Sequence, residues 1–401
     1  MRLRLAFLAV LLGAFTAHGQ VFGRWNKNDE GSGKTKNPIL LSLSLLPPDS
    51  ECSGTPPDGV TFTRASSATC SLDDGALPSN LATNRARVTA KGLLVEGSST
   101  NNVISAQNVS HEAWTKTPEV TCSTTACDFV GTGTFSQTLS GVSGLRNTSF
   151  YVMRRTETRC SSLTVSRDGG ATPHVVNLPN VGAQWYRVAA TCPVGAVYCI
   201  EIPGLASTVT DPEITVTATD CYTEISWFQD EAGGIPTSFI PTSGTAAVRA
   251  TENPRVASPE SDFLLAGCAA LDLTPYGWSD PTQTTAGPYL LGTVENNTAS
   301  RMLYVLPGAS EIRNYDGARF AGIAVSFGDG VADRYVSRWG NGVMSVCADS
   351  VGCSPDVAGF VGFPGGGDLV LGANSNTVST NNRAYGYLSN LVLGATPEAC
   401  Q

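Results

Sequence analysis

The sequence predicts an all-β protein built from two jelly-roll β-sandwiches in tandem and stapled by disulfides. Three observations predict it: apolar and polar residues alternate in many short runs, turn residues separate these runs, and the cysteine count is even, at 12. Residues 213–228 show the alternation most plainly, with Ile214, Val216 and Ala218 between threonines. Alternate side chains share one face of a strand, so this pattern gives one buried and one polar face.

Other short runs have the same character, and turns rich in glycine, asparagine, aspartate and proline separate them. We predict strands at 150–153, 163–165, 185–188, 302–305, 323–327, 334–339, 369–371 and 387–393. Residues 39–46 are largely apolar and are expected to add a strand to a neighbouring sheet. Outside the N-terminus, no run with a helical period exceeds about three turns.

The N-terminus has the features of a cleaved secretory signal. A short basic start precedes an apolar run at 5–15, and Ala17 and Gly19 are small residues at the positions that signal peptidase reads. We therefore expect residues 1–19 to be removed and the protein to be secreted, extracellular or periplasmic. A retained anchor is the alternative interpretation, and no later stretch is apolar enough to cross a membrane.

The cysteines fit an oxidising compartment, where an even number favours full pairing. Spacing alone does not determine connectivity, but it suggests three short staples: Cys122 with Cys127, Cys192 with Cys199, and Cys347 with Cys353. The remaining expectations are a longer loop closed by Cys52 with Cys70, and long-range ties of Cys160 with Cys221 and Cys268 with Cys400.

Charge excludes some partners. The formal net charge is −9, and loss of Arg2 and Arg4 with the signal takes it to −11. An acidic chain with 15% charged residues has no electrostatic footprint for nucleic acid. We expect no nucleic-acid partner and no membrane span after signal cleavage.

Three segments carry a family resemblance. The first, residues 59–102, contains Thr-Phe-Thr-Arg-Ala-Ser from Thr61 and Gly-Leu-Leu-Val-Glu-Gly from Gly92; the others are 112–115 (Glu-Ala-Trp-Thr) and 236–244 (Pro-Thr-Ser-Phe-Ile-Pro-Thr-Ser-Gly). They resemble a module of bacteriophage tail, fibre and head-spike proteins and of prophage-derived secreted proteins. The resemblance implies a jelly roll similar to carbohydrate-binding modules at about 101–240. The signal and the cysteines depart from a virion protein and indicate a module used outside the cell.

A second resemblance covers the C-terminal block. Residues 366–372 (Gly-Gly-Asp-Leu-Val-Leu-Gly) and 384–393 (Ala-Tyr-Gly-Tyr-Leu-Ser-Asn-Leu-Val-Leu) resemble the closing strands of the concanavalin A-like, or laminin G-like, jelly roll. The expected division is a signal at 1–19, an arm or linker at 20–58, the phage-type segment with its jelly roll at 59–245, a linker at 246–260, and the laminin G-like jelly roll at 261–401.

The sequence offers little for catalysis. After signal removal only His111 and His174 could act as a histidine base, and no Gly-x-Ser-x-Gly elbow is present. Concanavalin A-like glucanases carry a Glu-x-Asp-x-x-Glu strand, which is also missing here. We predict no catalytic residue; a glycoside hydrolase is the enzymatic alternative.

Candidate binding residues are aromatic side chains near turns, because exposed rings stack on sugars. Trp278 with Tyr276, and Trp339 with Asn341, fit this description, whereas Trp114, Trp185 and Trp227 are expected in the core. The laminin G-like resemblance implies room for one calcium ion near Asp329 and Asp333, with Asp316 on a further loop. No other cofactor is expected.

These observations favour a secreted, non-catalytic binding protein that recognises a glycan or another surface polymer. A structural or adhesive protein similar to a phage fibre, with a protein partner or self-association, is the alternative from another class.

Overall fold

The structure is a computed structural model. It describes residues 39–45, 52–71, 74–154, 161–179, 183–192, 196–233, 236–257, 261–275, 289–293, 301–306, 310–326, 331–363, 368–372 and 386–400. Regular structure in these ranges consists of β-strands and two short 3-10 turns, Pro203–Leu205 and Ser261–Leu264. The all-β prediction is confirmed. Among the same residues, no helix has the length and apolar character needed to cross a membrane.

The described strands are numbered in chain order. They are β1 (Ile39–Leu43), β2 (Val60–Thr63), β3 (Ala68–Cys70), β4 (Ser79–Leu81), β5 (Arg87–Thr89), β6 (Gly92–Val95), β7 (Ser99–Asn101), β8 (Thr115–Lys116), β9 (Val120–Cys122), β10 (Cys127–Thr138), β11 (Arg146–Arg154), β12 (Ser162–Ser166), β13 (His174–Asn177), β14 (Trp185–Ala189), β15 (Cys199–Glu201), β16 (Ala206–Ser207), β17 (Glu213–Ala232), β18 (Ala247–Arg249), β19 (Asn253–Val256), β20 (Gly267–Pro275), β21 (Tyr289–Thr293), β22 (Arg301–Leu306), β23 (Glu311–Tyr315), β24 (Phe320–Ala324), β25 (Asp333–Gly340), β26 (Val343–Ala348), β27 (Gly352–Cys353), β28 (Val357–Ala358), β29 (Leu369–Leu371) and β30 (Gly386–Gly394).

Residues 39–95 and 253–400 together build one sandwich, which we call the split sandwich. Its first sheet has the order β27-β26-β25-β20-β30-β6-β5, with β1 paired to β30 and β28 to β26. Its second sheet has the order β2-β19-β29-β21-β22-β23-β24. One apolar core lies between these sheets and draws residues from both ends of the chain, including Phe62, Leu93, Leu303 and Leu391.

Residues 101–240 form the second unit, which we call the inserted domain. Its strands enclose a separate core that contains Phe135, Phe150 and Phe228. The long strands β10 and β17 pair along most of their length and connect β8, β9, β11 and β12 into one continuous sheet. This unit coincides with the block that the phage-type resemblance assigns to a jelly roll.

The two sandwiches are therefore not consecutive along the chain, because the inserted domain interrupts the split sandwich. The expected linker at 246–260 contributes β18, which pairs with β7, and β19, which pairs with β2 and β29. The expected arm at 20–58 contributes β1, which pairs with β30. Residues 39–46 were expected to add a strand to a neighbouring sheet, and β1 does so. The strands before the inserted domain join this sandwich because their apolar side chains complete its core. Leu93 and Val95, on one face of β6, lie in that core.

Five disulfides join described residues, and each is one of the pairs expected from the sequence. They are Cys52–Cys70, Cys122–Cys127, Cys192–Cys199, Cys268–Cys400 and Cys347–Cys353. The short staples Cys122–Cys127 and Cys347–Cys353 each join residues directly opposite one another on paired strands. Cys160 lies outside the described residues, so the expected pair Cys160 with Cys221 stays a prediction.

Candidate functional site

Buried charged side chains lie where the inserted domain meets the split sandwich. Arg87 is central: its Nε donates to Glu252 Oε1 at 2.8 Å, and its Nη1 donates to Glu96 Oε2 and to Ser238 Oγ. Arg64 Nη1 lies 2.8 Å from the same Glu252 oxygen. We call Arg64, Arg87, Glu96, Thr237, Ser238, Arg249 and Glu252 the junction network.

Arg249 joins the inserted domain to this network. Its Nη1 donates to Thr237 Oγ1 at 2.9 Å and lies 3.2 Å from Glu96 Oε2. Its Nη2 donates to the carbonyl of Gly97 at 2.8 Å. Buried charges are costly unless paired, and here every guanidinium faces a carboxylate. The network therefore fixes the two units against each other.

Electrostatics keep Glu96 ionised in this setting. Burial opposes its ionisation, but Arg249 and Arg87 outweigh the burial, and the hydroxyl and backbone N–H of Ser238 also donate to it. The pKa of Glu96 is therefore held well below its usual range. Nearby, Glu231 accepts from Thr237 N at 2.6 Å and from Thr237 Oγ1 at 2.7 Å.

The network explains the motifs of the phage-type resemblance. Arg64 belongs to Thr-Phe-Thr-Arg-Ala-Ser, Glu96 to Gly-Leu-Leu-Val-Glu-Gly, and Thr237 and Ser238 to the segment at 236–244. These segments lie far apart in the chain, and folding brings them into one hydrogen-bonded cluster. The motif residues therefore have a positioning role at the junction.

A cleft opens over this junction, with an empty volume of about 810 Å³ that includes space open to solvent. We call it the junction cleft. Both units and one loop line it: Lys91, Leu94, Glu96 and Tyr387 from the split sandwich; Tyr151, Trp185, Arg187, Ala196, Tyr198, Cys199, Ser238 and Phe239 from the inserted domain; and Thr69, Ser71, Gly75, Ala76 and Pro78 from the segment after β2.

Strand β14 presents two of the lining side chains by simple alternation. Tyr186 and Val188 are buried in the core of the inserted domain, whereas Trp185 and Arg187 are half-buried and line the cleft. Arg187 Nη2 donates to the carbonyl of Thr237 at 2.6 Å and to Ser149 Oγ at 3.0 Å. These contacts hold the guanidinium in place beside the indole.

The loop wall is held against β14. Trp185 N donates to the carbonyl of Gly75 at 2.8 Å, and the Cys52–Cys70 disulfide tethers the start of this loop. Gly75 has φ +79, and a Cβ there would lie 2.7 Å from Gln184 Cγ and 2.9 Å from Tyr198 Cε1. Only glycine fits this close approach without displacing its neighbours.

The aromatic floor is supported by a bulge in β17. The register of β11 and β17 shifts between Ser149 and Tyr151, so Trp227 and Phe228 lie opposite Phe150. Trp227 has φ +50, an uncommon conformation for a bulky residue, and the shift lets both aromatic side chains point into apolar surroundings. Trp227 stacks on Phe239, a floor residue of the cleft, with ring centroids 4.8 Å apart.

The opposite wall carries a lysine and a tyrosine. Lys91 is exposed in the turn between β5 and β6, and its Nζ lies 5.8 Å from the ring centroid of Tyr387 on β30. Gly92 fixes this turn at φ +124, where a Cβ would lie 2.3 Å from the carbonyl oxygen of Leu388. The cleft thus combines half-exposed rings, two cations and hydroxyl groups, a set suited to a ligand with both apolar faces and polar edges.

The aromatic residues that the sequence predicted as glycan contacts are Tyr276, Trp278 and Trp339. Tyr276 and Trp278 lie outside the described residues. Trp339 is 1% exposed, donates from Nε1 to the carbonyl of Phe263 at 2.7 Å, and packs edge-on against Phe263 and Phe363. A buried indole offers no free face to a sugar, so the expectation of a glycan contact at Trp339 is corrected: an aromatic residue before a tight turn serves the core here. Asn341 lies in that turn with φ +51, on the rim of a shallow depression that also includes Arg338, Asp356 and Glu398.

The predicted calcium residues have other partners. Asp329 lies outside the described residues. Asp333 accepts from Arg334 N at 2.9 Å and from the Ser350 hydroxyl, and Asp316 Oδ1 accepts from Arg319 N at 2.7 Å, so both shape turns. No group of three or more potential metal ligands occurs among the described side chains.

Sequence reasoning missed the residues of the cleft. Trp185 was expected in the core, and Lys91, Arg187, Tyr198 and Tyr387 were not singled out. One pattern pointed to two of them: in Trp-Tyr-Arg-Val at 185–188, Trp185 and Arg187 share the face opposite the two core residues. The other walls come from distant segments, which no local pattern connects.

No family model and no curated protein matches this chain. Similar solved structures include domains LG4-5 of the mouse laminin alpha1 chain, at 12% identity and a TM-score of 0.26, covering 75% of this chain and 89% of that one. A truncated AlyQ with CBM32 and alginate lyase domains matches at 9% identity and a TM-score of 0.21, covering 74% and 97%. The tail fibre protein gp63.1 of an E. coli phage matches at 8% identity and a TM-score of 0.18, covering 76% of this chain and 40% of that one. Laminin G-like, carbohydrate-binding and phage-fibre structures are thus among the neighbours of this chain.

Proposed function

We propose that this protein is a secreted, non-catalytic binding protein that holds a saccharide chain in the junction cleft. One observation carries the proposal: Trp185, Tyr198 and Tyr387, each half-buried, line a single cleft together with charged and hydroxyl-bearing side chains. Pyranose rings have apolar faces that pack on aromatic rings and hydroxyl edges that need hydrogen-bonding partners. The cleft supplies both.

The extent of the lining supports a ligand of several atoms rather than an ion. Side chains from both units and from the loop between Thr69 and Pro78 face the cleft, so one ligand could contact several of them at once. The cleft lies between two units fixed by a buried charge network, and rigid walls reduce the ordering cost of binding. A preformed cleft of this kind suits recognition of one segment of a longer polymer.

The carboxylate content of the cleft lining favours binding of a saccharide without its cleavage. Glycoside hydrolysis uses two carboxylates that flank the scissile bond. Glu96 is the one carboxylate among the described residues that line the cleft, and Arg87 and Arg249 contact it. Since it is already engaged in ion pairs, Glu96 is poorly suited to act as an acid or a nucleophile.

Secretion is supported by the cysteine chemistry. Five disulfides join described residues, and such bonds persist in oxidising compartments outside the cytoplasm. The expected signal at residues 1–19 agrees with this location.

The test is a glycan array probed with the purified, oxidised protein, with calcium and again with chelator, followed by calorimetry on each sugar that binds. Trp185→Ala and Tyr198→Ala are expected to weaken binding roughly tenfold or more, because each removes a stacking face. The matched control is Tyr222→Ala, which removes a tyrosine that is 46% exposed outside the cleft. Trp278→Ala tests in the same assay the separate prediction of a site at Tyr276 and Trp278.

Each outcome has a defined meaning. Saturable binding that Trp185→Ala and Tyr198→Ala weaken, and Tyr222→Ala leaves intact, supports the cleft. Binding lost only in Trp278→Ala moves the site to the C-terminal loops. A blank array from a folded sample contradicts the proposal and favours the alternative of a structural protein with a protein partner.

A further inference from the structure

We infer that the junction cleft selects a saccharide that carries negative charge, as a uronate or a sulfate ester, over its neutral counterpart. This inference rests on the proposed function and names the ligand class of the same site. It is carried by the distribution of charge around the cleft, which differs from that of the protein as a whole.

The lining residues have an excess of positive charge. Lys91 and Arg187 are cationic, and Glu96 is the carboxylate among them. The charge of Glu96 is compensated, because Arg87 and Arg249 contact its carboxylate and the side chain is buried. The whole chain, in contrast, has a formal net charge of −9. The cleft is therefore a local positive site on an acidic protein.

The junction network beneath the floor does not reverse this sign. Its three guanidiniums, on Arg64, Arg87 and Arg249, face the two carboxylates of Glu96 and Glu252. Glu231, buried next to Thr237, brings the charges at the junction into balance. Asp74, between the lining residues Ser71 and Gly75, adds one carboxylate beside the loop wall, and its Oδ1 accepts from Ala76 N at 3.0 Å. The two cations Lys91 and Arg187 outnumber this carboxylate among the described charges on the walls.

Lys91 is placed for contact with a bound sugar. Its ammonium is exposed and lies 5.8 Å from the centroid of the Tyr387 ring, so a ring stacked on Tyr387 would bring its substituents close to this charge. The turn that carries Lys91 is constrained, since Lys91 N donates to Thr89 Oγ1 at 3.2 Å and Gly92 fits closely against Leu388. A positioned cation beside a stacking face is suited to a carboxylate or sulfate on the sugar.

Arg187 provides the second charge, from the wall formed by the inserted domain. Its Nη2 is anchored to the carbonyl of Thr237 and to the hydroxyl of Ser149. An anchored guanidinium loses little conformational entropy when it bonds a ligand. The two cations therefore come from different units, and the cleft brings them to one ligand.

The test compares matched ligands by calorimetry: oligogalacturonate with its methyl ester, and a sulfated galactan oligosaccharide with its desulfated form. We expect at least one charged form to bind tenfold or more tightly than its neutral partner, with a preference that falls as salt rises from about 50 to about 500 mM. Lys91→Gln should reduce this preference several-fold, and Lys91→Glu should reduce it further. Arg319→Gln, which removes an exposed positive charge outside the cleft, should leave it unchanged.

Failure of this inference can be distinguished from failure of the proposed function. Equal binding of charged and neutral forms, sensitive to Trp185→Ala but not to salt or Lys91→Gln, overturns the charge selectivity and leaves saccharide binding in place. Absence of binding to any charged or neutral saccharide of the panel and the array overturns both. Lys91 is exposed, so its variants are expected to fold and the comparison stays informative.

Discussion

At the scale of single residues, Arg87 is the central charge of the junction network. Its side chain is fully buried and contacts Glu96, Glu252 and Ser238, which belong to three separate segments of the chain. Burial alone would lower the pKa of this guanidinium, but Glu252 and Glu96 raise it above its usual value. Removing one member of such a cluster leaves uncompensated charge in the interior.

We therefore predict that Arg87→Met lowers the free energy of unfolding by about 3–5 kcal/mol, measured by urea titration at pH 7. The control is Arg319→Gln, whose side chain is 43% exposed and 3.9 Å from Asp316. Exposed pairs contribute little, so the control should change stability by at most about 1 kcal/mol. Equal effects of the two substitutions would show that the junction network contributes no more than a surface pair.

Glu96 makes the stability of the protein depend on pH in a defined direction. Its pKa in the folded state lies below the ordinary value of 4.5 despite burial, because Arg249 and Arg87 favour the charged form. A depressed pKa contributes stability that is present above the unfolded pKa and lost as pH falls through the folded pKa. Acidification below about pH 4.5 should therefore destabilise the protein partly through this group.

We predict that Glu96→Gln is less stable than the parent at pH 7 but loses less free energy of unfolding between pH 5 and pH 3. Urea unfolding titrations at several pH values measure how the free energy of unfolding of each protein changes with pH. Glu112→Gln, a change at an exposed position, should lose as much free energy of unfolding between pH 5 and pH 3 as the parent. An equal loss of free energy of unfolding in Glu96→Gln and in the parent over this pH range would exclude Glu96 as a source of the pH dependence.

At the scale of elements, β6 shows how one strand connects core and site. Leu93 and Val95 enter the core of the split sandwich, Leu94 lies on the opposite face and lines the junction cleft, and Glu96 follows at once in the network. An apolar run on both faces of a strand indicates that both faces are covered. Here the second face meets the junction cleft, which residues of the inserted domain line from the other side.

The disulfides also act on elements, and their effects should scale with the loop that each closes. Cys268–Cys400 spans 132 residues, whereas Cys347–Cys353 spans 6. Restriction of the unfolded chain gives about 5 kcal/mol for the long loop and about 2 kcal/mol for the short one. We predict that the double serine variant of Cys268 and Cys400 lowers the free energy of unfolding more than the variant of Cys347 and Cys353. Urea titration of both variants measures the difference, and the reverse order would show that native packing around the bridges outweighs loop entropy.

At the scale of the whole molecule, the sequence predicted the positions of strands, because these depend on residues that are adjacent in the chain. Alternation identified strands such as β14, β25 and β30, because the two faces of a strand meet different surroundings. It did not predict which strands pair, since the partner of β19 is β2, nearly two hundred residues earlier. Order along the chain suggested tandem sandwiches, whereas pairing places β1, β2, β5 and β6 in the sandwich built mainly from the C-terminal half.

The candidate site was harder to predict for the same reason. Aromatic residues near turns are reasonable candidates, but Trp339 fills the core while Trp185, on a strand, lines the cleft. A cleft between units is lined by residues from several segments, and its composition exists only after folding. The motif segments at 61–66, 92–97 and 236–244 were recognisable, yet their meaning as one charge network depended on the fold.

The interruption of the split sandwich leads to a prediction for the whole chain. A fragment of residues 246–401, which matches the expected C-terminal domain and its linker, would lack β1, β2, β5 and β6. In the structure β1 and β6 both pair with β30, and β2 pairs with β19, so the fragment would leave two strands without these neighbours. It would also expose the core surface that Phe62, Leu93 and Val95 cover. Open strand edges and exposed apolar surface favour aggregation over folding.

We therefore predict that residues 246–401 alone do not fold, whereas residues 39–401 unfold cooperatively. Dispersion of amide resonances and a sigmoidal urea transition distinguish the two states, and both proteins should be prepared under the same oxidising conditions so that Cys268 and Cys400 pair. If the shorter fragment gave dispersed resonances and a cooperative transition, the N-terminal strands would be an attachment rather than part of the sandwich. The folding units would then follow the tandem division of the chain and not the strand pairing. If only the longer fragment folds, assembly of the C-terminal core depends on residues that precede the inserted domain.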